Sequence, residues 1–184
     1  HVRDLANVLD EMGHEVFIMA RKGKQNDLLN KGVKFIDIRM SDLSAPYQIF
    51  KISRFVKRHG IEVIHAHQRL PVFIGSMAAK IAGVPVVATV HGHTQYDVRS
   101  PLVRKMIDKF IFVRQSTFDE AKGYGIPAKK CLLIQNGVRI VHSQDPRDYY
   151  SLCYISRIDK RHSQVILMVM NKVLVPFFRQ FPGL

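Results

Sequence analysis

The chain has 184 residues, 47% hydrophobic and 23% charged, which suits one well-packed soluble domain and part of another. No apolar run is long enough to cross a bilayer: residues 165–175 come nearest, but Asn171 and Lys172 interrupt them and Pro176 follows. The net charge of +13 favours contact with polyanions without choosing among nucleic acid, anionic lipid and phosphorylated small molecules.

In chain order, Val2, Leu5, Val8, Leu9 and Met12 form one apolar stripe that predicts a helix ended by Gly13. Residues 15–20 read as a strand, 24–31 as a short polar helix closed by Gly32, and 33–38 as another strand. After a loop over 41–46, residues 47–59 predict a helix with Ile49, Ile52 and Val56 facing inward. Lys51, Arg54, Lys57 and Arg58 face outward, with Phe50 and Phe55 on the flanks. Strands follow over 61–66, 84–90, 110–113 and 131–135. Helices are expected over 71–82, 101–109 (with Pro101 in its first turn) and 116–124, where Ser116 is a candidate cap; 94–100 reads as a polar loop. This alternation means an α/β, doubly wound, Rossmann-like domain whose strands lie in one parallel sheet.

The segment 61–93 is the centre of that plan. Strand, helix and strand with short joints make a right-handed crossover whose parallel strands are buried on both faces. His65 and His67 stand at the end of the first strand, and His91 and His93 at the end of the second. Ligand crevices in open parallel sheets lie outside the carboxyl ends of the strands, so His67 and His91 are expected at one edge. A His-x-His pair on each strand also has metal-ligand spacing, but zinc sites usually recruit Cys or carboxylate too and none is placed nearby. The reading is no metal. His65 and His93 are expected as packed or supporting side chains.

Residues 139–148, "RIVHSQDPRD", are polar and broken by Pro146, which places a domain boundary at 148. Beyond it, 149–155 reads as a strand and 164–178 as a helix, so 149–184 is the incomplete opening of a second α/β unit. Cys131 and Cys153 read as buried, reduced thiols of a cytosolic protein. The first residue is His and the first segment is an amphipathic helix instead of a secretory signal, which suggests a fragment or a processed product.

Five segments, "HVRDLANVLDEMGHEVFIMA", "IEVIHAH", "GVPVVATVHG", "GYGIPAKKCLLIQNGV" and "YISRIDKRHS", resemble in order and spacing the family-4 retaining glycosyltransferases of the GT-B fold. The resemblance implies two Rossmann-like domains: the acceptor side over 1–148 and the start of the donor side over 149–184. The family's first strand and Gly-Gly turn would precede His1, and the rest of its donor domain, with a paired-glutamate motif, would follow Leu184. It implies a hexosyltransferase-like enzyme that needs no cofactor or metal. That enzyme moves a sugar from a nucleotide-diphosphate donor to an acceptor hydroxyl, including a lipid or cell-envelope acceptor.

By the same resemblance, His91 of "TVHG" lies beside the anomeric carbon of the donor sugar, where a ring nitrogen or a nearby carbonyl holds a hydroxyl. His67 and Gly92 fall on the acceptor side. His1, Asn136 of "NGV", Arg157 and His162 fall on the donor side, where a guanidinium such as that of Arg157 suits bidentate contact with a diphosphate. The chain departs from the family pattern late: Arg114 stands where Ser is usual, Arg139 where Asp is common, Ser156 in place of Gly, and His162 and Ser163 in place of a Lys-Gly pair. The alternative is a non-catalytic Rossmann-fold binding module derived from a truncated glycosyltransferase. Nucleic acid is the least favoured partner, since no zinc-finger, helix-turn-helix or aromatic-basic platform accompanies the charge. The basic helix over 47–59, with its aromatic flanks, reads instead as a surface for an anionic membrane or as a solvated face. The expected location is cytoplasmic, extending to peripheral attachment on the inner face of the membrane.

Overall fold

Strand and helix alternate through residues 2–92 and 100–137, which a computed structural model of the chain describes; they fall within a compact unit, His1–Val138. The boundary expected at 148, the second α/β unit, Cys153, His93 and most of the loop over 94–100 lie outside the described residues.

Helix α1 (Val2–Glu11) ends where Gly13 takes a positive φ of 87°. Its apolar stripe is covered less than expected. Ala6 is buried and Leu5 and Leu9 are half-buried, but Val2, Val8 and Met12 are exposed. The stripe is amphipathic, yet what holds α1 against the following loop is polar: Asn7 Nδ2 donates to the Leu28 carbonyl at 3.0 Å, and its Oδ1 accepts from the Asn30 N–H at 2.9 Å.

Strand β1 (Phe17–Ala20) pairs in parallel with β2 (Lys34–Asp37), Phe17 opposite Lys34. The helix expected between them is a 3-10 turn, Lys24–Leu28. The Gly23 N–H donates to Asn26 Oδ1 at 2.8 Å, a local side-chain bond that competes with a longer helix.

Helix α2 (Ala45–Arg58) starts earlier than its apolar pattern suggests, because Pro46 in the first turn is pre-set for helical φ. Ile52 and Val56 are buried and Ile49 packs beside them, as expected. Phe55 differs: it is half-buried, edge-on to Phe17 with centroids 5.3 Å apart and over His59 at 4.1 Å.

Strand β3 (Ile64–His67), helix α3 (Arg69–Ala82) and strand β4 (Val86–Val90) form the central crossover. Gly83 closes α3 in the left-handed region, φ 81°. Helix α4 (Pro101–Met106) stops three residues short of its expected end, since Lys109 already belongs to β5 (Lys109–Phe112). Helix α5 (Gln115–Gly123) is preceded by Arg114; Thr117 Oγ1, not Ser116, bonds back, donating to the Arg114 carbonyl at 2.9 Å. A 3-10 turn (Ala128–Lys130) leads into β6 (Cys131–Leu133).

All described pairings are parallel, but the single sheet expected is divided. One sheet is β1–β2; the other has the order β3-β4-β5-β6, with Ile64 opposite Val86, Val87 opposite Lys109 and Phe110 opposite Cys131. Doubly wound sheets of order 3-2-1-4-5-6 carry a strand at the centre, between their two halves. The described residues supply no strand between β1 and β3, so backbone bonding does not pass from one pair to the next.

Helix α3 joins two cores. Its Val72 and Ala79 pack with Val86, Ala88, Val90, Val103, Ile107, Phe110 and Phe112, while its Ile74 and Ala78 pack with Ile38, Ala45, Ile52 and Val56 of the α2 side. Phe110 and Phe112 are wholly buried, each contributing roughly 1.5–3 kcal/mol by the transfer of its ring from water. Helix α3 approaches β3 at Gly75, where an added Cβ would make ordinary contacts with Ile64 Cγ2 at 3.4 Å and Ala66 Cβ at 3.5 Å, leaving room for a methyl group and little more.

Candidate functional site

Side chains alternate across a strand, so the face of β3 opposite α3 carries His65 and His67. In the β3–β4 register His65 lies opposite Val87 and His67 opposite Thr89, with His91 two residues further along the same face. Both histidines lie within or at the last residue of β3, and His91 follows β4 directly, so the two strands deliver three imidazoles to one edge.

They interact as a group. His65 Nε2 is 2.7 Å from the buried Thr89 Oγ1, and His67 Nδ1 is 2.9 Å from His91 Nε2. Ring centroids are 4.3 Å apart between His65 and His67 and 5.2 Å between His67 and His91, the latter pair stacked at 24°. Such packing favours uncharged rings. Burial, then the neighbouring His65 and His91, pushes His67 down to about 3. Burial also lowers His65, with His91 contributing, and burial is the main cause of the lowering at His91. The trio therefore offers neutral hydrogen-bonding rings at physiological pH. Among the described residues, no three His, Cys, Asp or Glu side chains are grouped to hold a metal ion.

The neighbouring strands end at the same edge. Arg114, two residues past β5, points Nη2 at the His91 carbonyl oxygen, 3.4 Å away. Asn136, three residues past β6, is exposed, and Gly92 is half-buried after His91. The structure thus brings His67 and His91 into contact and sets Gly92 beside them. Asn136 is on the same edge, separated from His91 by β5. His1, Arg157 and His162 lie outside the described residues. Thr89 and the Arg114–His91 contact were not anticipated. Thr89 could have been found from the two-residue period that places it on the face of His91; the Arg114 contact has no such signal.

The model of Glycosyltransferase Family 4 matches residues 1–161. The chain belongs to glycosyltransferase family 4. Among relatives of this family-4 chain, a phosphatidyl-myo-inositol mannosyltransferase of Mycolicibacterium smegmatis is 24% identical over 199 residues, covering 96% of this chain and 52% of the relative. The chain therefore spans about half the length of that curated relative. A glycosyltransferase from Rickettsia africae has a TM-score of 0.60 at 19% identity, over 73% of this chain and 38% of that one. HepE of Anabaena, in complex with UDP and glucose, has a TM-score of 0.56 at 17% identity, over 73% and 40%. MurG of Acinetobacter baumannii has a TM-score of 0.52 at 21% identity, over 75% and 42%. At these identities the likeness concerns the fold, which is the α/β, Rossmann-like N-terminal half of a GT-B glycosyltransferase. In this family-4 chain no described helix is long and apolar enough to cross a membrane.

Proposed function

We propose that this chain supplies the acceptor-side domain, residues 1–148, and the opening of the donor domain, 149–184, of a hexosyltransferase. The enzyme moves a sugar from a nucleotide-diphosphate donor to an acceptor hydroxyl with retention of anomeric configuration. The observation that carries the reading is the contact of His67 with His91 at the carboxyl ends of adjacent parallel strands, within a family-4 chain. The related mannosyltransferase, by its name, acts on a phosphatidyl-myo-inositol lipid, and HepE holds UDP and glucose. The first favours a lipid or cell-envelope acceptor and the second a nucleotide-sugar donor; the proposed site of action is the cytoplasmic side of a membrane.

In this reading the acceptor oxygen forms its bond to the anomeric carbon on the face from which the diphosphate departs, as the carbon–diphosphate bond breaks, and the hydroxyl proton passes to the departing diphosphate oxygen. Neutral His91 holds a donor-sugar hydroxyl through its ring or carbonyl, and His67 and Gly92 line the acceptor side. Arg157, with His1, Asn136 and His162, takes up the charge that develops on the diphosphate. No cofactor is used. The test is to assay a panel of sugar nucleotides with the 184-residue chain and with the chain extended by its flanking coding sequence. The extended protein should transfer sugar, and His91→Ala should slow it on the order of a hundredfold; the 184 residues alone should not turn over. An extended protein indifferent to His91→Ala would overturn the assignment.

One observation favours a second reading, a non-catalytic binding module. Arg114, where family members usually carry Ser, already donates toward the His91 carbonyl. An extended protein that binds a nucleotide sugar but neither transfers nor hydrolyses it would decide for the module.

A further inference from the structure

Helix α2 presents a second surface, on an element distinct from the strands that carry the histidines. Tyr47, Phe50 and Arg54 recur at helical spacing along one stripe, flanked by Lys51, Lys57 and Arg58, and Leu43 lies in the turn that leads into the helix. Leu43 is 96% exposed, Tyr47 63% and Phe50 58%, whereas Phe55, on the other flank, is packed against Phe17 and His59. Residues 45–58 contain no acidic side chain, so the helix carries an uncompensated run of Lys51, Arg54, Lys57 and Arg58, all exposed. The cations also cover the rings: Arg54 Cζ lies 5.6 Å from the Phe50 centroid and Lys51 Nζ 6.0 Å from that of Tyr47.

We infer that this face rests on an anionic lipid surface. Cations drawn to acidic headgroups would bring the neighbouring rings and Leu43 to the depth where amphipathic side chains partition. The charge alone would suit nucleic acid equally well. The exposed Leu43 decides between them: an aliphatic side chain gains nothing from stacking on bases but gains from leaving water for the acyl boundary. The inference deepens the proposed function, and rests on it for the idea that the acceptor is itself a lipid. The surface is defined independently of the sugar site.

The experiment is co-sedimentation of the 184-residue chain, without donor, with vesicles of phosphatidylcholine alone or mixed with phosphatidylglycerol. Binding should require the anionic lipid and fall as salt passes through the screening range. The triple variant Lys51→Gln, Arg54→Gln, Arg58→Gln should weaken it on the order of a hundredfold, with an unchanged circular dichroism spectrum. Phe50→Trp, in a chain without native Trp, should give a blue-shifted emission on vesicle addition. Equal binding to both vesicle types, an unaffected triple variant, or an unshifted emission from the introduced indole each overturns the inference. So does an oligonucleotide that binds more tightly than the anionic vesicles. An extended protein that transfers sugar while the 184-residue chain ignores vesicles would reject this surface alone; a chain that binds vesicles while the extended protein binds no sugar nucleotide would reject the transferase reading alone.

Discussion

His67 Nδ1 and His91 Nε2 share one proton across 2.9 Å, so the tautomers of the two rings are linked. If His67 donates from Nδ1, its Nε2 is unprotonated and His91 carries its proton on Nδ1. If His91 donates from Nε2, its Nδ1 is unprotonated and His67 carries its proton on Nε2. Either way His91 Nε2 is engaged by His67, and a sugar hydroxyl would meet Nδ1 or the main-chain carbonyl. His67 is thus placed to orient the His91 ring, in addition to the acceptor-side role proposed for it.

Removing that partner should loosen His91. In His67→Phe, nitrogen-15 spectra of His91 should change from one tautomer to a mixture, and affinity for a nucleotide sugar should fall about fivefold, the worth of one hydrogen bond. His67→Asn, whose amide can bond in place of Nδ1, should restore most of the loss. A single His91 tautomer in both variants would show that the bond does not orient the ring.

Acid should destabilise the domain through the same trio. The rings take up protons in the unfolded chain below about 6.5, whereas folded His67 resists protonation down to about 3. The unfolded state therefore binds more protons within that window, and stability falls as pH drops through it. The slope approaches about 1.4 kcal/mol per pH unit for one proton, reduced by the partial exposure of His67. Denaturant midpoints measured from pH 7 to pH 4 should show the decline, and His67→Phe should flatten it. A variant that keeps the full wild-type slope would assign the acid sensitivity elsewhere.

Arg114 competes for the carbonyl that a donor sugar could use. Arg114→Ser removes a 3.4 Å contact between exposed groups, so stability should change by less than about 0.5 kcal/mol. Affinity for a nucleotide sugar should rise several-fold, read by titration calorimetry. Weaker binding in the variant would mean that the guanidinium contacts the donor itself.

Packing at Gly75 should separate size from backbone freedom. Contacts of 3.4 and 3.5 Å to an added Cβ are ordinary, and replacing a mid-helix Gly with Ala gains about 0.5–1 kcal/mol. Gly75→Ala should therefore hold or raise the melting temperature. Gly75→Leu should cost about 1–3 kcal/mol by forcing α3 away from Ile64 and Ala66. Comparable stability of the Ala and Leu variants would show that α3 can shift without penalty.

The pattern of residues alone determined the parallel α/β alternation, the inward face of α2 at Ile52 and Val56, and the histidines at strand ends. Each follows from a local period, 2 in a strand and 3.6 in a helix, or from a residue whose backbone preference stops an element, such as Gly83. The family was legible for the same reason, since its motifs are short and contiguous. Tertiary structure decided what depends on partners distant in sequence. Register places His67 opposite Thr89 and brings it against His91, and a one-residue slip would have turned those rings to the other face. Similarly, Phe17 draws Phe55 inward while Phe50, five residues earlier on the same helix, stays in solvent. The α1 stripe and the divided sheet were misread for a related reason. Periodicity shows that a face or an edge can be buried, but burial needs a neighbouring element to cover it, and neither Met12 nor the edges of β1 and β3 meet one among the described residues.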